Sequence, residues 1–332
     1  MLMKYFVPNW FAGFAATSLL LFGCAKNEDM DLSIAGVAVA DANFQELEDA
    51  AIRGGVVTTL SNKNPNDLQG NFTVFAPTND AFARLGLRTA ADLIALQQPF
   101  LTNTLLYHVA NGTVTGAALA NGRESASALG PNRRFTVRGG NMYVNGSRLV
   151  ATDVKATNGT IHAVDKVLLA TGVDIVQSAV ALSTSQVFVK PELTFLVEAV
   201  LYCELAGALT ASPGSAPLTV FAPTDQAFRN LGILLKVPLV QAKDIRLLPK
   251  DVVTAVLLNH VVGGANGGKF TPELPDQTTL TPLGGTPLTM GPFANGLLTV
   301  QGKSNATPAN MVIPDVQCTN GVVHVIDQVL LP

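Results

Sequence analysis

Apolar residues along this chain follow two periods, one helical and one of two, and they do so in the same order twice. Residues 32–40 are small and apolar and predict a first helix. Phe44, Leu47, Ala51 and Ile52 follow at helical spacing, and Gly54-Gly55 stops that stripe. After a polar loop over 62–70, residues 73–75 predict a short strand. Pro77 ends it, because it has no N–H to give a ladder. Thr78 is then placed to cap a helix whose first turn holds Asp80, Ala81 and Phe82. Residues 91–96 predict a short helix. Pro99 opens another, with Leu101, Leu105 and His108 on one face, stopping near Gly112. Beyond Gly112 the period falls to two. Residues 135–137 and 142–144 read as strands around the turn Gly139-Gly140, with Asn145-Gly146 as the next turn. Residues 150–169 close the unit through Asp153, Asn158-Gly159, His162 and Asp165, and Asp153 reads as a turn or loop acid.

The succession then recurs. Phe72-Thr-Val-Phe-Ala-Pro-Thr-Asn-Asp-Ala-Phe82 returns as Leu218-Thr-Val-Phe-Ala-Pro-Thr-Asp-Gln-Ala-Phe228, with three differences. Thr224 is thus the twin of Thr78, His260 of His108, His324 of His162, Asp315 of Asp153 and Asp327 of Asp165. The offset is 146 residues at the first motif, 152 at the helix histidine and 162 at the last motif. Order is kept and only loops have grown, so the chain is a full-length tandem duplication. The second copy predicts a helix over 251–262, strands at 288–290 and 298–300, and a closing segment over 312–331. Residues 171–173 are the seam, and 174–182 restart the small apolar helix.

Composition narrows the class. Charged residues are 14% of the chain, against roughly 25% in an ordinary domain. Its surface therefore leans on Thr, Asn, Ser and Gly, which suits an extracellular or periplasmic protein. Net charge is −3 with no Lys/Arg cluster, so no stripe is offered to nucleic acid. At the N-terminus Lys4 precedes an uncharged apolar run over 10–22, which is short for a membrane span. It ends in Leu21-Phe22-Gly23-Cys24, which resembles a bacterial lipobox. Residues 1–23 then read as a lipoprotein signal peptide, Cys24 as the lipid-bearing first mature residue, and 24–34 as a tether. Membrane attachment would run through that lipid. Ala25 after the cysteine resembles outer-membrane sorting, and the acids Glu28, Asp29 and Asp31 resemble surface-export signals.

All four histidines lie in the repeated motifs. Either His108/His162 and His260/His324 converge on acid–base or metal sites, or each imidazole is half buried and hydrogen-bonds backbone or a neighbouring acid. The structural reading is preferred, with Thr78, Thr224, His162, Asp165, His324 and Asp327 as motif scaffold. Asp165 and Asp327 stand three residues beyond a strand histidine, hence on the opposite face, which argues against a His–Asp dyad. No Gly-x-Ser-x-Gly elbow, zinc spacing or phosphate loop is present, so neither catalysis, metal nor cofactor is expected. Cys203 and Cys318 both fall in copy two. An oxidising compartment would permit a bridge between them, and buried free thiols are the alternative.

Strand-Ala-Pro-Thr-helix, then Tyr107-His108 on a helix, then Asn-Gly-x-x-His-x-x-Asp before a closing strand, together resemble the fasciclin-like (FAS1) domain. Both copies carry the set, over 35–170 and 173–332, with Asn259 standing where copy one has Tyr107. The resemblance implies an α+β fold of two tandem domains, each a twisted seven-stranded β-sandwich wedge flanked by short helices. It implies adhesion through a protein or glycan ligand at the cell surface, without enzymatic activity. It also points to Leu105, Leu106, Tyr107, His108 and Val109, with His260 in copy two, as partner-binding residues. A periplasm-facing binding or assembly factor for envelope components is the alternative role.

Overall fold

The computed structural model describes residues 32–332, apart from 95, 185–191 and 211–214. Cys24, the segment 1–23 expected to be a signal peptide and most of the expected tether lie outside the described residues. Copy one runs α1 (Ile34–Ala40), α2 (Gln45–Arg53), α3 (Val57–Ser61), β1 (Phe72–Pro77), α4 (Asn79–Ala83), α5 (Ala90–Ile94) and α6 (Gln98–Tyr107). It continues with β2 (Val109–Asn111), β3 (Glu124–Ala126), β4 (Asn132–Arg138), β5 (Asn141–Val144), β6 (Ser147–Ala156), β7 (Gly159–Val164) and β8 (Leu169–Ala170). Copy two runs α7 (Ile175–Ser183), α8 (Thr194–Tyr202), α9 (Ala206–Leu209), β9 (Leu218–Pro223), α10 (Asp225–Leu235) and α11 (Lys250–Leu258). Its remaining strands are β10 (Val261–Val262), β11 (Thr279–Leu280), β12 (Leu288–Met290), β13 (Thr299–Gln301), β14 (Ala309–Cys318) and β15 (Gly321–Ile326). Among the described residues no helix is long and apolar enough to cross a membrane.

The strand–Pro–helix corner forms as its sequence predicts. Thr78 accepts a hydrogen bond from Ala81 N at 3.4 Å, and Thr224 accepts one from Ala227 N at 3.1 Å. Three expectations are corrected. The histidine helices are shorter than their apolar runs: α6 ends at Tyr107 and α11 at Leu258, and the residues beyond become the edge strands β2 and β10. Those residues pair antiparallel with β1 and β9, which satisfies their backbone better than another helical turn would. Ile52 leaves the predicted stripe and is 61% exposed, while Ala50 turns inward in its place. Asp153 and Asp315 are not loop acids. They sit at bulges inside β6 and β14 with φ of 61° and 64°, where the ladder register shifts.

In each copy seven strands form one hydrogen-bonded path, β2-β1-β7-β6-β5-β4-β3 and β10-β9-β15-β14-β13-β12-β11. The β1–β7 and β9–β15 pairs are parallel, so both sheets are mixed. Strands β1 and β4 are far apart along the path, yet the rings of Phe75 and Phe135 lie 5.7 Å apart. A flat sheet spaces strands by about 4.8 Å, so the path folds over and encloses a core of Phe75, Phe135, Val144 and Val164. Phe221, Met290, Val300 and Ile326 fill the corresponding space in copy two. A larger apolar cluster, with members from both copies, lies between the helices and the outer face of the sheets.

The repeated Asn-Gly ties helices to sheet. Asn158 Oδ1 accepts from Ile34 N at 2.8 Å and its amide donates to the carbonyls of Leu60 and Asn62. Asn320 does the same for Ile175 N and the Leu209 carbonyl. The glycine that follows must lack a side chain: a Cβ on Gly321 would stand 2.0 Å from the Leu218 carbonyl oxygen, and one on Gly159 as close to that of Phe72. Gly321→Ala is expected to cost about 2 kcal/mol. Urea unfolding checks this, and an unchanged midpoint would contradict the close approach.

Candidate functional site

Each histidine is clamped between one backbone carbonyl and one backbone N–H. His108 donates from Nδ1 to the Thr104 carbonyl at 2.7 Å and accepts Leu168 N–H on Nε2 at 2.9 Å. His260 repeats this with the Val256 carbonyl at 2.7 Å and Leu330 N–H at 2.8 Å. The strand histidines use the opposite tautomer. His162 donates from Nε2 to the Val114 carbonyl and accepts Asp153 N–H on Nδ1; His324 pairs likewise with the Lys269 carbonyl and Asp315 N–H. All four are neutral imidazoles with both nitrogens occupied. Burial pushes His108 and His260 down to about 4 and lowers His162 and His324 as well. Among the described residues no three His, Cys, Asp or Glu side chains gather as a metal site would require.

The motif aspartates bond the neighbouring strand rather than the histidines. Asp165 accepts Arg148 N–H at 2.8 Å, and Asp327 accepts Asn310 N–H at 2.8 Å. Cys203 and Cys318 are free and buried, and burial pushes the Cys318 thiol up to about 11. The segment over 105–109 is not a surface. Leu105, Tyr107, His108 and Val109 are buried, Leu106 is half-buried, and His260 is buried in copy two. The buried side chains of the segment pack the joint between α6 and the folded sheet, and Leu106 alone in it keeps part of its surface open. Arg133, fully buried, fastens the joint by donating to the Tyr107 and Val109 carbonyls while its guanidinium lies 4.8 Å from the Phe75 ring.

What the sequence did not reveal is the contact between the copies. The Tyr107 hydroxyl is bonded to Asn145 Nδ2 and to Oε1 of Gln317, a residue of copy two, and Asn145 also donates to Gln317 at 2.7 Å. Lys166 Nζ is buried against Asp315 Oδ2 at 2.6 Å and also donates to the Gly296 carbonyl at 3.0 Å. Thr271 N–H and Oγ1 hold the same carboxylate. Arg134 pairs with Glu273 at 2.5 Å, and Arg138 reaches Asp276 and the Leu274 carbonyl. Finally β8, the last strand of copy one, pairs in parallel with β14 of copy two. Sequence does carry one signal: at two of these positions the copies differ. Lys166 aligns with Gln328, and Tyr107 with Asn259.

A family model described as the Fasciclin domain matches residues 42–170 and 191–332. The chain belongs to the fasciclin domain family. It is 38% identical over 142 residues to the Synechocystis protein sll1483, covering 42% of this chain and 75% of that one. It is 30% identical over 267 residues to transforming growth factor-beta-induced protein ig-h3 of Sus scrofa, covering 79% of this chain and 35% of that one. This chain therefore spans about a third of the length of ig-h3. Among solved structures, the FAS1 domain pair of the insect cell adhesion molecule fasciclin I aligns at 17% identity with a TM-score of 0.40. That alignment covers 90% of this chain and 96% of the insect one.

Within this fasciclin pair the Tyr107/Asn259 difference has a structural reason. The tyrosine hydroxyl reaches across to the other copy, whereas Asn259 is buried with neither side-chain amide atom hydrogen-bonded among the described residues. Tyr107→Phe removes that reach together with the hydroxyl's bond to Asn145 in its own copy. It is expected to cost about 1–2 kcal/mol in a chain whose Gln317 is intact, and clearly less once Gln317 is Leu. A double-mutant cycle on urea midpoints measures it, and two equal costs would contradict the bridge.

Proposed function

We propose that this protein is a non-enzymatic, lipid-anchored adhesion or matrix-binding protein of the outer membrane, facing outward, that holds a protein or glycan ligand. The observation that carries the reading is the joint between the copies. Buried side chains fasten two fasciclin domains into one compact unit over Leu32–Pro332, so a partner meets both domains as one body. The fate of the repeated histidines supports the same reading. Both nitrogens of each are used by the chain's own backbone, which leaves no histidine free to act as a base. The anchor rests on the Gly23-Cys24 lipobox, and the adhesive role on what the family resemblance implies.

The test is protease treatment of intact cells carrying the full chain, beside a Cys24→Ala strain. The wild-type chain is expected to be cleaved from outside and to sediment with membranes, and the variant is expected to be released from them. A wild-type chain that survives on intact cells and is cleaved only after lysis overturns the outward placement and favours the envelope-assembly alternative.

A further inference from the structure

Beside the joint, the two copies enclose a polar cleft of about 530 Å³, within the range of roughly 300–1,000 Å³ usual for small-ligand sites. Three groups on its wall have bonding capacity the protein does not use. Arg84 and Arg148 flank Asp165 Oδ2, each at 3.7 Å, too far for a hydrogen bond. The Arg148 guanidinium has no hydrogen bond among the described residues and is 46% exposed; Arg84 has one, to the Asn295 carbonyl at 3.2 Å. Tyr143 lines the same cleft. It is 4% exposed, and its hydroxyl has no hydrogen-bond partner among the described residues. Its ring meets that of Phe293 edge-on at 5.7 Å, and Arg138 fixes Phe293 from 4.1 Å.

The second copy separates scaffold from addition. Asp327, the twin of Asp165, takes the same backbone N–H from the same position and is completed by the Asn310 amide at 2.7 Å. Asn310 stands where copy one has Arg148, and Asn230 where it has Arg84. The fold therefore needs the aspartate and not the two arginines. Around one carboxylate they leave a surplus positive charge with free donors, which fits a monoanion and above all a carboxylate. The other groups on the wall, Tyr143 and Asn141 among them, offer donors and acceptors suited to hydroxyls.

We infer that this cleft binds an acidic saccharide, with the carboxylate of a uronic-acid unit on Arg84 and Arg148 and a ring hydroxyl on Tyr143. The inference goes beyond the adhesion reading, because it holds wherever the protein is placed. Its test uses purified full-length protein, so its failure leaves the cell-surface experiment untouched.

The experiment is calorimetric titration of the full chain with tri-galacturonate, with neutral maltotriose and glutarate as comparison probes. Saturable binding of tri-galacturonate is expected, weakened about tenfold by Arg148→Gln and about threefold by Tyr143→Phe. Both variants are expected to keep the wild-type urea midpoint. Maltotriose and glutarate are expected to bind far more weakly, the first lacking the anion and the second the sugar hydroxyls. Absence of saturable tri-galacturonate binding overturns the inference. So does equal binding by the Arg84→Gln/Arg148→Gln double variant, or glutarate binding as tight as the saccharide.

Discussion

Between pH 6.5 and about 4 the folded protein is expected to lose about 3 kcal/mol of stability for each of His108 and His260. Burial holds both well below their ordinary value of 6.5. The unfolded chain therefore takes up a proton first as pH falls. The stability of the neutral clamps is complete above 6.5, declines through the window, and is gone below the folded value. The geometry explains the size of the effect. Protonation would place a second N–H on Nε2, pointed at Leu168 N–H in copy one and Leu330 N–H in copy two. Two donors would then face each other with no water between them. His162 and His324 are shifted in the same direction and add to the acid loss. Urea midpoints at pH 7 and pH 4.5 measure it. His108→Gln should lower stability at pH 7 and flatten the slope against pH, a signature that lost packing alone does not produce. A stability that does not change with pH across this window would contradict the clamps.

Lys166→Met is expected to cost about 3–5 kcal/mol, because it leaves the Asp315 carboxylate buried without its cation. Asp315 keeps Thr271 N–H at 2.6 Å and Thr271 Oγ1 at 2.9 Å, but these do not neutralise its charge. Nor does His324, which is neutral and accepts the backbone N–H of Asp315 on the nitrogen nearest that carboxylate. Adding Asp315→Asn should recover much of the loss, since asparagine tolerates the left-handed backbone at this bulge and can still accept from Thr271. The cycle of single and double variants isolates the pair. The same lysine joins the copies, so Lys166→Met should also separate their unfolding into two steps. One cooperative transition, shifted by less than about 1 kcal/mol, would show the pair to be ornamental.

Within each copy the sequence was close to sufficient, for a physical reason. The strand–Pro–Thr corner, the Asn-Gly turns and the glycine pairs act over a few residues, and duplication prints each of them twice. The errors began where distant backbone decided the outcome. The apolar run after Tyr107 looks helical until β1 offers Val109 and Ala110 a ladder. Asp153 looks like a turn acid until the bend of β6 requires a bulge there. The Tyr107-His108 segment was singled out only by the family resemblance, and nothing local shows that the sheet folds over it. The joint between the copies was invisible for the same reason. Lys166 and Asp315 are 149 positions apart, and no periodicity relates them.

Leu169 and Ala170 belong by descent to copy one, yet their strand pairing is with β14 of copy two. During synthesis copy one is complete long before β14 exists, and until then Lys166 has no carboxylate and the Tyr107 hydroxyl no Gln317. Copy two, by itself, would lack a strand on β14 and keep an unmatched Asp315. A tandem repeat usually permits the loss or shuffling of a unit by recombination. Here each unit has given part of its own interior to the other, so losing either one would leave the other with an unpaired strand or an unmatched buried charge.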